Sequence, residues 1–242
     1  ANIDFLRESQ AHGLKEILFS LHGATEEIHD AITGRKGSFK RILQGIANAK
    51  ELGMIVRTNA TIYYRNYHQL ENEYADLINS IEPTETNFIS LNYWGDFHVI
   101  DFENVPYKLI TDNIKKCIDK LKDGIEINVR YVPYCYMKGY EKYVAGTYQH
   151  IYDLRDWNRE MYTYTLNVSR KYSKEEKLAL AYEACAGHRA RFYKKSVNCL
   201  KCKHLYICDG IEKEIVDKTP VHPEEGEKIT KVTFYRKDRD KR

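Results

Sequence analysis

Hydrophobic positions along this chain follow two alternating periods. Leu14–Leu21 is a short apolar run set between Gly13 and Gly23, the pattern of a buried strand. From Ser38 the period lengthens: Phe39, Ile42, Leu43, Ile46, Ala49 and Leu52 fall at helical spacing, with Ser38 as cap and Gly53 as stop. Met54–Ile62 is rich in β-branched residues and predicts the next strand. A helix follows over 67–81, with Leu70, Tyr74, Leu77, Ile78 and Ile81 on one face, then a strand over Asn87–Asn92. Pro106 opens a further helix that runs through Leu121 and closes at Gly124, and Ile125–Val132 is a fourth strand ended by Pro133. Ahead of the first strand, Asp4–Gln10 reads as the end of a helix.

Strands alternating with helices in this way predict an α/β fold, a parallel sheet or barrel assembled from βα units. Four units are too few to close an eight-stranded barrel, and an apolar first strand left at an edge is a liability. Further strands are therefore expected before Ala1, and the missing initial methionine reads as an excerpt of a longer protein. After Pro133 the pattern changes. Tyr134–Tyr143 is aromatic and irregular, Ser173-Lys-Glu-Glu176 is a capping box opening a helix with Leu178, Ala181, Tyr182 and Cys185 on one side, and Lys228–Tyr235 alternates like a closing strand. The expected division is βα units over 1–133, an aromatic linker and helix over 134–184, a metal-binding region over 185–216, and a basic tail with a strand over 217–242.

Charge changes the picture only by exclusion. The 242 residues include 38 basic and 35 acidic side chains, a net charge of +3, which argues against a general nucleic-acid binder. The tail from Tyr235 to Arg242 is locally basic but diluted by aspartates, as a solvated end would be. No apolar run approaches the roughly 18 residues that span a bilayer, and no signal peptide opens the chain. Six cysteines, half of them in one short segment, do not resemble a secreted disulfide framework. A reducing, cytoplasmic setting is expected, so the glycosylation patterns at Asn59-Ala-Thr61 and Asn167-Val-Ser169 read as chance.

The cysteines carry the sharpest chemistry. Cys199-x2-Cys202-x5-Cys208 sets three soft ligands within ten residues, a set that selects zinc or an iron–sulfur cluster. Zinc calls for a second paired knuckle, and only His204 lies nearby. The x5 spacing followed by Asp209-Gly210 suits a loop wrapped around a cluster. Cys185 is the nearest candidate for a fourth ligand and Cys135, among aromatics after a strand, is the alternative; Cys117 sits mid-helix as a packing residue. A second group lies at the strand ends, where α/β proteins bind ligands. Ser20, His22, Thr58, Asn59 and Asn92 are short hydrogen-bonding residues there, suited to a carboxylate, an amino group or a ribose. Tyr93, Trp94, Tyr131, Tyr134 and Tyr136 are aromatics that would line the mouth of such a site.

Phe19-Ser-Leu-His-Gly23, Ile28-His-Asp-Ala-Ile-Thr-Gly34, Gly37-Ser-Phe39, Gly45-Ile46, Val56-Arg-Thr-Asn59 and Asn66 together resemble the fourth and fifth strand units of radical SAM enzymes, in which the His-Asp pair forms a turn. The CX2CX5C run is similar to the auxiliary-cluster motif of their SPASM and twitch domains. The resemblance implies the C-terminal part of a partial parallel (βα)6 barrel, truncated at its N-terminus, followed by a small irregular Cys-rich domain. It implies S-adenosylmethionine as cofactor, with Ser20 and Asn59 contacting its methionine part or ribose. It also implies one auxiliary [4Fe–4S] cluster here and a second, radical-generating [4Fe–4S] cluster in the missing N-terminal part. This sequence contains neither the CxxxCxxC loop nor the glycine-rich GGE segment, and Glu212 stands near where a full SPASM motif continues to a fourth cysteine. A single auxiliary cluster, and no radical generation by this chain alone, are the expectations. The implied partners are a peptide, carbohydrate or small-metabolite substrate and an electron donor such as flavodoxin or ferredoxin. The competing expectation is a non-catalytic zinc-knuckle binding module on an α/β scaffold.

Overall fold

A computed structural model describes residues 2–91, 107–145, 173, 176, 190–231 and 234–235. The chain divides into two units, Ala1–Leu91 with Glu103–Val129, and Asn92–Phe102 with Arg130–Arg242.

The first unit is α/β. Its elements run α1 (Ile3–Ala11), β1 (Glu16–Ser20), α2 (Glu26–Thr33), α3 (Ser38–Glu51), β2 (Ile55–Ile62), α4 (Ala75–Ile81), β3 (Glu85–Ser90), α5 (Tyr107–Lys120) and β4 (Glu126–Arg130). The strands form a parallel sheet in the order β1-β2-β3-β4, with Ser20 opposite Asn59 and Asn59 opposite Asn87. Side chains alternate across a strand, so the sheet has two distinct faces. One carries Val56, Ala60, Ile62 and Phe88, all buried with the helical residues Ile46, Ala49, Tyr74, Ile78 and Ile114. Each fully buried aliphatic or aromatic side chain of this kind contributes about 1.5–3 kcal/mol. The other face carries the buried polar residues Arg57, Asn59, Glu85 and Asn87, with Thr61 and Ile89 half-buried and Ile55 exposed at its edges.

Three local features differ from expectation. The His29-Asp30 segment is not a turn but the middle of α2, which Thr25 caps by accepting from Ile28 N and Gly34 ends in the left-handed conformation. Ser38 does not cap α3; Asp30 does, its carboxylate accepting from the Gly37 and Phe39 amides and from Ser38 Oγ. Against a desolvation penalty, these donors hold the Asp30 carboxyl below its ordinary range. The expected helix over 67–81 is composite, a 3-10 turn at Tyr67–Gln69 and a π turn at Leu70–Tyr74 leading into α4.

The described residues of the second unit start at Arg130, the last residue of β4. Pro133 precedes a 3-10 turn at Tyr134–Tyr136, and another turn follows at Glu141–Tyr143. The capping box forms reciprocally: Ser173 N donates to Glu176 Oε2 at 2.9 Å and Glu176 N to Ser173 Oγ at 3.1 Å. A small antiparallel pair, β5 (Tyr193–Lys194) and β6 (Ile211–Glu212), brackets the cysteine segment. The expected closing strand over 228–235 is absent among its described residues. Lys228–Lys231 has no regular structure and is tied to the cysteine loop, Ile229 N donating to Lys203 O and Lys228 Nζ to the carbonyls of Leu200 and Cys202. Among the described residues no helix is long and apolar enough to cross a membrane.

Candidate metal centre

Four cysteines of the second unit, Cys135, Cys199, Cys202 and Cys208, line one cavity of about 30 Å³, walled by Pro133, Leu205, Ile211, Val221 and Pro223. Local structure delivers each of them. Val197–Lys201 is a 3-10 turn whose last amide, Cys202 N, donates to Cys199 O at 3.0 Å, so both sulfurs leave the same tight turn. Cys208 N returns to His204 O at 3.0 Å and closes the next loop. Lysines fasten the outside: Lys228 Nζ donates to Leu200 O at 2.6 Å and Cys202 O at 2.9 Å, and Lys203 pairs with Glu224. Cys135 arrives from the Tyr134–Tyr136 turn, which the Tyr136 hydroxyl ties to Pro220 O at 2.5 Å.

Each sulfur has a donor beside it. The His222 amide reaches Cys135, and the Tyr134 and Gly210 amides reach Cys208. Ser196 Oγ lies 3.9 Å from Cys199 Sγ and His204 Nδ1 lies 3.8 Å from Cys202 Sγ. Gly210, at φ +100°, leaves no room for a side chain: a Cβ there would stand 2.9 Å from the Lys194 carbonyl carbon. Burial pushes the Cys135 thiol up to about 11, with Cys199 and Cys202 adding to the effect, and the Cys208 thiol up to about 12. A cation reverses that preference, since a coordinating thiol gives up its proton. Among the described residues no three His, Cys, Asp or Glu side chains already stand as a ligand group for one ion. A single tetrahedral zinc, with bonds of about 2.3 Å, draws its sulfurs to within about 3.8 Å of one another. A polynuclear cluster takes its thiolates at separate corners, farther apart. Four cysteine sulfurs with amide groups aimed at them suit soft-metal binding, as zinc or as an iron–sulfur cluster.

Of the expected ligands, Cys185 lies outside the described residues. Cys135 takes a place with the three clustered cysteines. Cys117 is fully buried in α5 of the first unit, its thiol driven far up by burial, which is a packing role. His204 is 1 % exposed and turned to Tyr235, Nε2 standing 2.7 Å from the hydroxyl.

The residues expected at strand ends separate into different roles: Ser20 does end β1, whereas Thr58 and Asn59 lie inside β2. Ser20 Oγ donates to Asn59 Oδ1 at 3.0 Å, and Asn128 Nδ2 to Asn87 Oδ1 at 3.1 Å, so Ser20, Asn59, Asn87 and Asn128 form one row across the polar face. Below it Arg57 bridges Glu16 and Glu85, and Asn87 Nδ2 donates to Glu85 Oε1 at 3.0 Å. Thr58 is fully buried on the opposite face, its hydroxyl donating to Thr86 Oγ1 at 3.0 Å, because neighbours in a strand point opposite ways. His22 is a loop anchor. Its Nδ1 accepts from Thr61 N at 3.1 Å, while its own amide donates to His29 Nδ1 at 3.1 Å. Asn66 Nδ2 donates to His22 O at 2.8 Å and Thr61 O at 2.7 Å, and the Tyr74 hydroxyl to Leu21 O at 2.8 Å. Burial, then the neighbouring His29, holds the His22 imidazole down at about 4. Asn92, Tyr93 and Trp94 lie outside the described residues, while Tyr131, Tyr134 and Tyr136 are buried.

No protein-family model matches the chain, and no curated protein matches it. Sequence reasoning passed over Arg57, Glu85, Asn87 and Asn128 as site residues. The signal was the two-residue period that sets Arg57 on the face of Asn59, but the strand register that aligns the other three is a tertiary property.

Proposed function

We propose that this chain is the C-terminal portion of a radical SAM enzyme, holding one auxiliary [4Fe–4S] cluster through Cys135, Cys199, Cys202 and Cys208. One observation carries the reading: Cys135, far away in sequence, faces the same cavity as the CX2CX5C cysteines, with a donor beside every sulfur. On this reading the parallel sheet is part of an incomplete (βα)6 barrel and the second unit is a twitch-like cluster domain. Ser20, the last residue of β1, and Asn59, within β2 three residues before its end, stand side by side and would offer hydroxyl and amide groups to the ribose or carboxylate of S-adenosylmethionine. Arg57, held by Glu16 and Glu85, fixes the polar face beneath them, so their orientation does not depend on a bound ligand.

A cluster bound at the four cysteines would supply an electron-accepting or substrate-binding centre. The chain's own part is to present the thiolates, to keep water away with Pro133, Leu205, Ile211 and Val221, and to place amide donors on sulfur. The radical-generating cluster and the substrate, whether peptide, carbohydrate or small metabolite, would be met outside this sequence, with flavodoxin or ferredoxin as the electron source. Anaerobic reconstitution with ferrous iron and sulfide tests the reading. The expected product is brown, absorbs near about 400 nm, and holds iron and sulfide in equal amounts at one cluster per chain. A colourless protein with one zinc per chain would replace it with the zinc-knuckle reading.

A further inference from the structure

The buried imidazole of His204 has both nitrogens placed. Nδ1 is 3.8 Å from Cys202 Sγ, Nε2 is 2.7 Å from the Tyr235 hydroxyl, and the ring stacks on Tyr134 at 4.9 Å and 17°. Tyr235 also packs against Tyr134, at 5.7 Å, and its oxygen takes a hydrogen bond from the Lys203 ammonium. These contacts order the protons. A metal-bound Cys202 is a thiolate and only accepts, so the proton between it and His204 belongs to Nδ1. The neutral ring then has its lone pair at Nε2, which accepts the Tyr235 O–H, while Lys203 can only donate to the phenol oxygen.

We infer that His204 is a positioning residue for the metal site: held by Tyr235 and Tyr134, it donates Nδ1–H to the Cys202 thiolate and sets the reduction potential of the bound cluster. The inference rests on the cluster reading above. A hydrogen bond to a ligating sulfur stabilises the more negative, reduced cluster and raises its potential. The other donors at the cavity do the same from the backbone or from Ser196, but His204 is the one whose donor strength depends on a second side chain. Tyr235 polarises the ring through Nε2, so the last described residue of the chain bears on the metal site through two hydrogen bonds.

The test is an anaerobic redox titration of the reconstituted chain and three variants, with iron and sulfide measured in each. His204→Phe keeps an aromatic ring against Tyr134 but removes the donor, and its potential should become more negative at unchanged cluster content. Tyr235→Phe should shift it in the same direction by less. His204→Asn places an amide donor near the Nδ1 position and should return the potential towards that of the parent chain. Full clusters with the same potential in His204→Phe would overturn the inference and leave the cluster reading standing. A chain that takes up zinc in place of iron and sulfide would overturn the cluster reading alone. The relay is then read in the cobalt(II)-loaded protein, whose thiolate-to-metal charge-transfer band must move in His204→Phe, and an unmoved band overturns it. A chain that binds neither metal overturns both.

Discussion

Acidification should loosen the first unit through His22, whose neutral ring is built into the strand-end loop. Its Nδ1 accepts the Thr61 amide and its own amide donates to His29 Nδ1. A proton on either Nδ1 removes an acceptor and places a charge beside another imidazole. Burial holds His22 at about 4, against 6.5 for the free side chain, and holds His29 below its ordinary value as well. The unfolded chain therefore takes up protons first as pH falls. The His22 contribution is present in full above pH 6.5 and is lost as pH falls towards about 4. At about 1.4 kcal/mol for each pH unit in which only the unfolded chain is protonated, the loss reaches about 3 kcal/mol, less a discount for the ring's partial exposure. Urea unfolding between about pH 7.5 and about pH 4.5 should show it. His22→Gln, which keeps an acceptor and cannot titrate, should be less stable at neutral pH but flatter across that range. A His22 resonance titrating near 6.5, or an unchanged slope in the variant, would refute the reasoning.

Other substitutions test the frame around the two sites. Gly210→Ala puts a methyl 2.9 Å from the Lys194 carbonyl carbon at a φ of +100°, and overpacking with backbone strain should destabilise the second unit by about 2–4 kcal/mol and lower metal uptake. Glu85→Ala removes one of the carboxylates that pair the buried Arg57, which should cost about 3 kcal/mol in urea unfolding, with a smaller loss in Glu85→Gln. An unchanged unfolding midpoint in Glu85→Ala would mean that the pair merely balances its own desolvation.

Much of the fold is legible in the sequence because strands and helices here differ cleanly in period. Glycine and proline stops set the ends of β1, β2, α3 and α5 to within a residue or two of the structure. β3 starts earlier than its apolar pattern, since Glu85 reads as a solvated charge until Arg57 is placed across from it. α2 went unrecognised although Thr25, Glu26, Glu27 and Gly34 spell its start and stop, because His29-Asp30 resembled a family turn. The polar row from Ser20 to Asn128 needs a register, and a register is settled by packing rather than by local sequence. The same holds for Cys135. The Tyr134–Tyr136 turn carries this cysteine, distant along the chain, to the cavity, while Cys185 lies outside the described residues.

The central claim is that Cys135 completes the cluster with Cys199, Cys202 and Cys208. Iron and acid-labile sulfide measured after anaerobic reconstitution of Cys135→Ala and Cys185→Ala test it most directly. Cys185→Ala should hold the same cluster content and spectrum as the parent chain, and Cys135→Ala should lose most of both. A Cys135→Ala chain that keeps its full cluster while Cys185→Ala loses it would contradict the account.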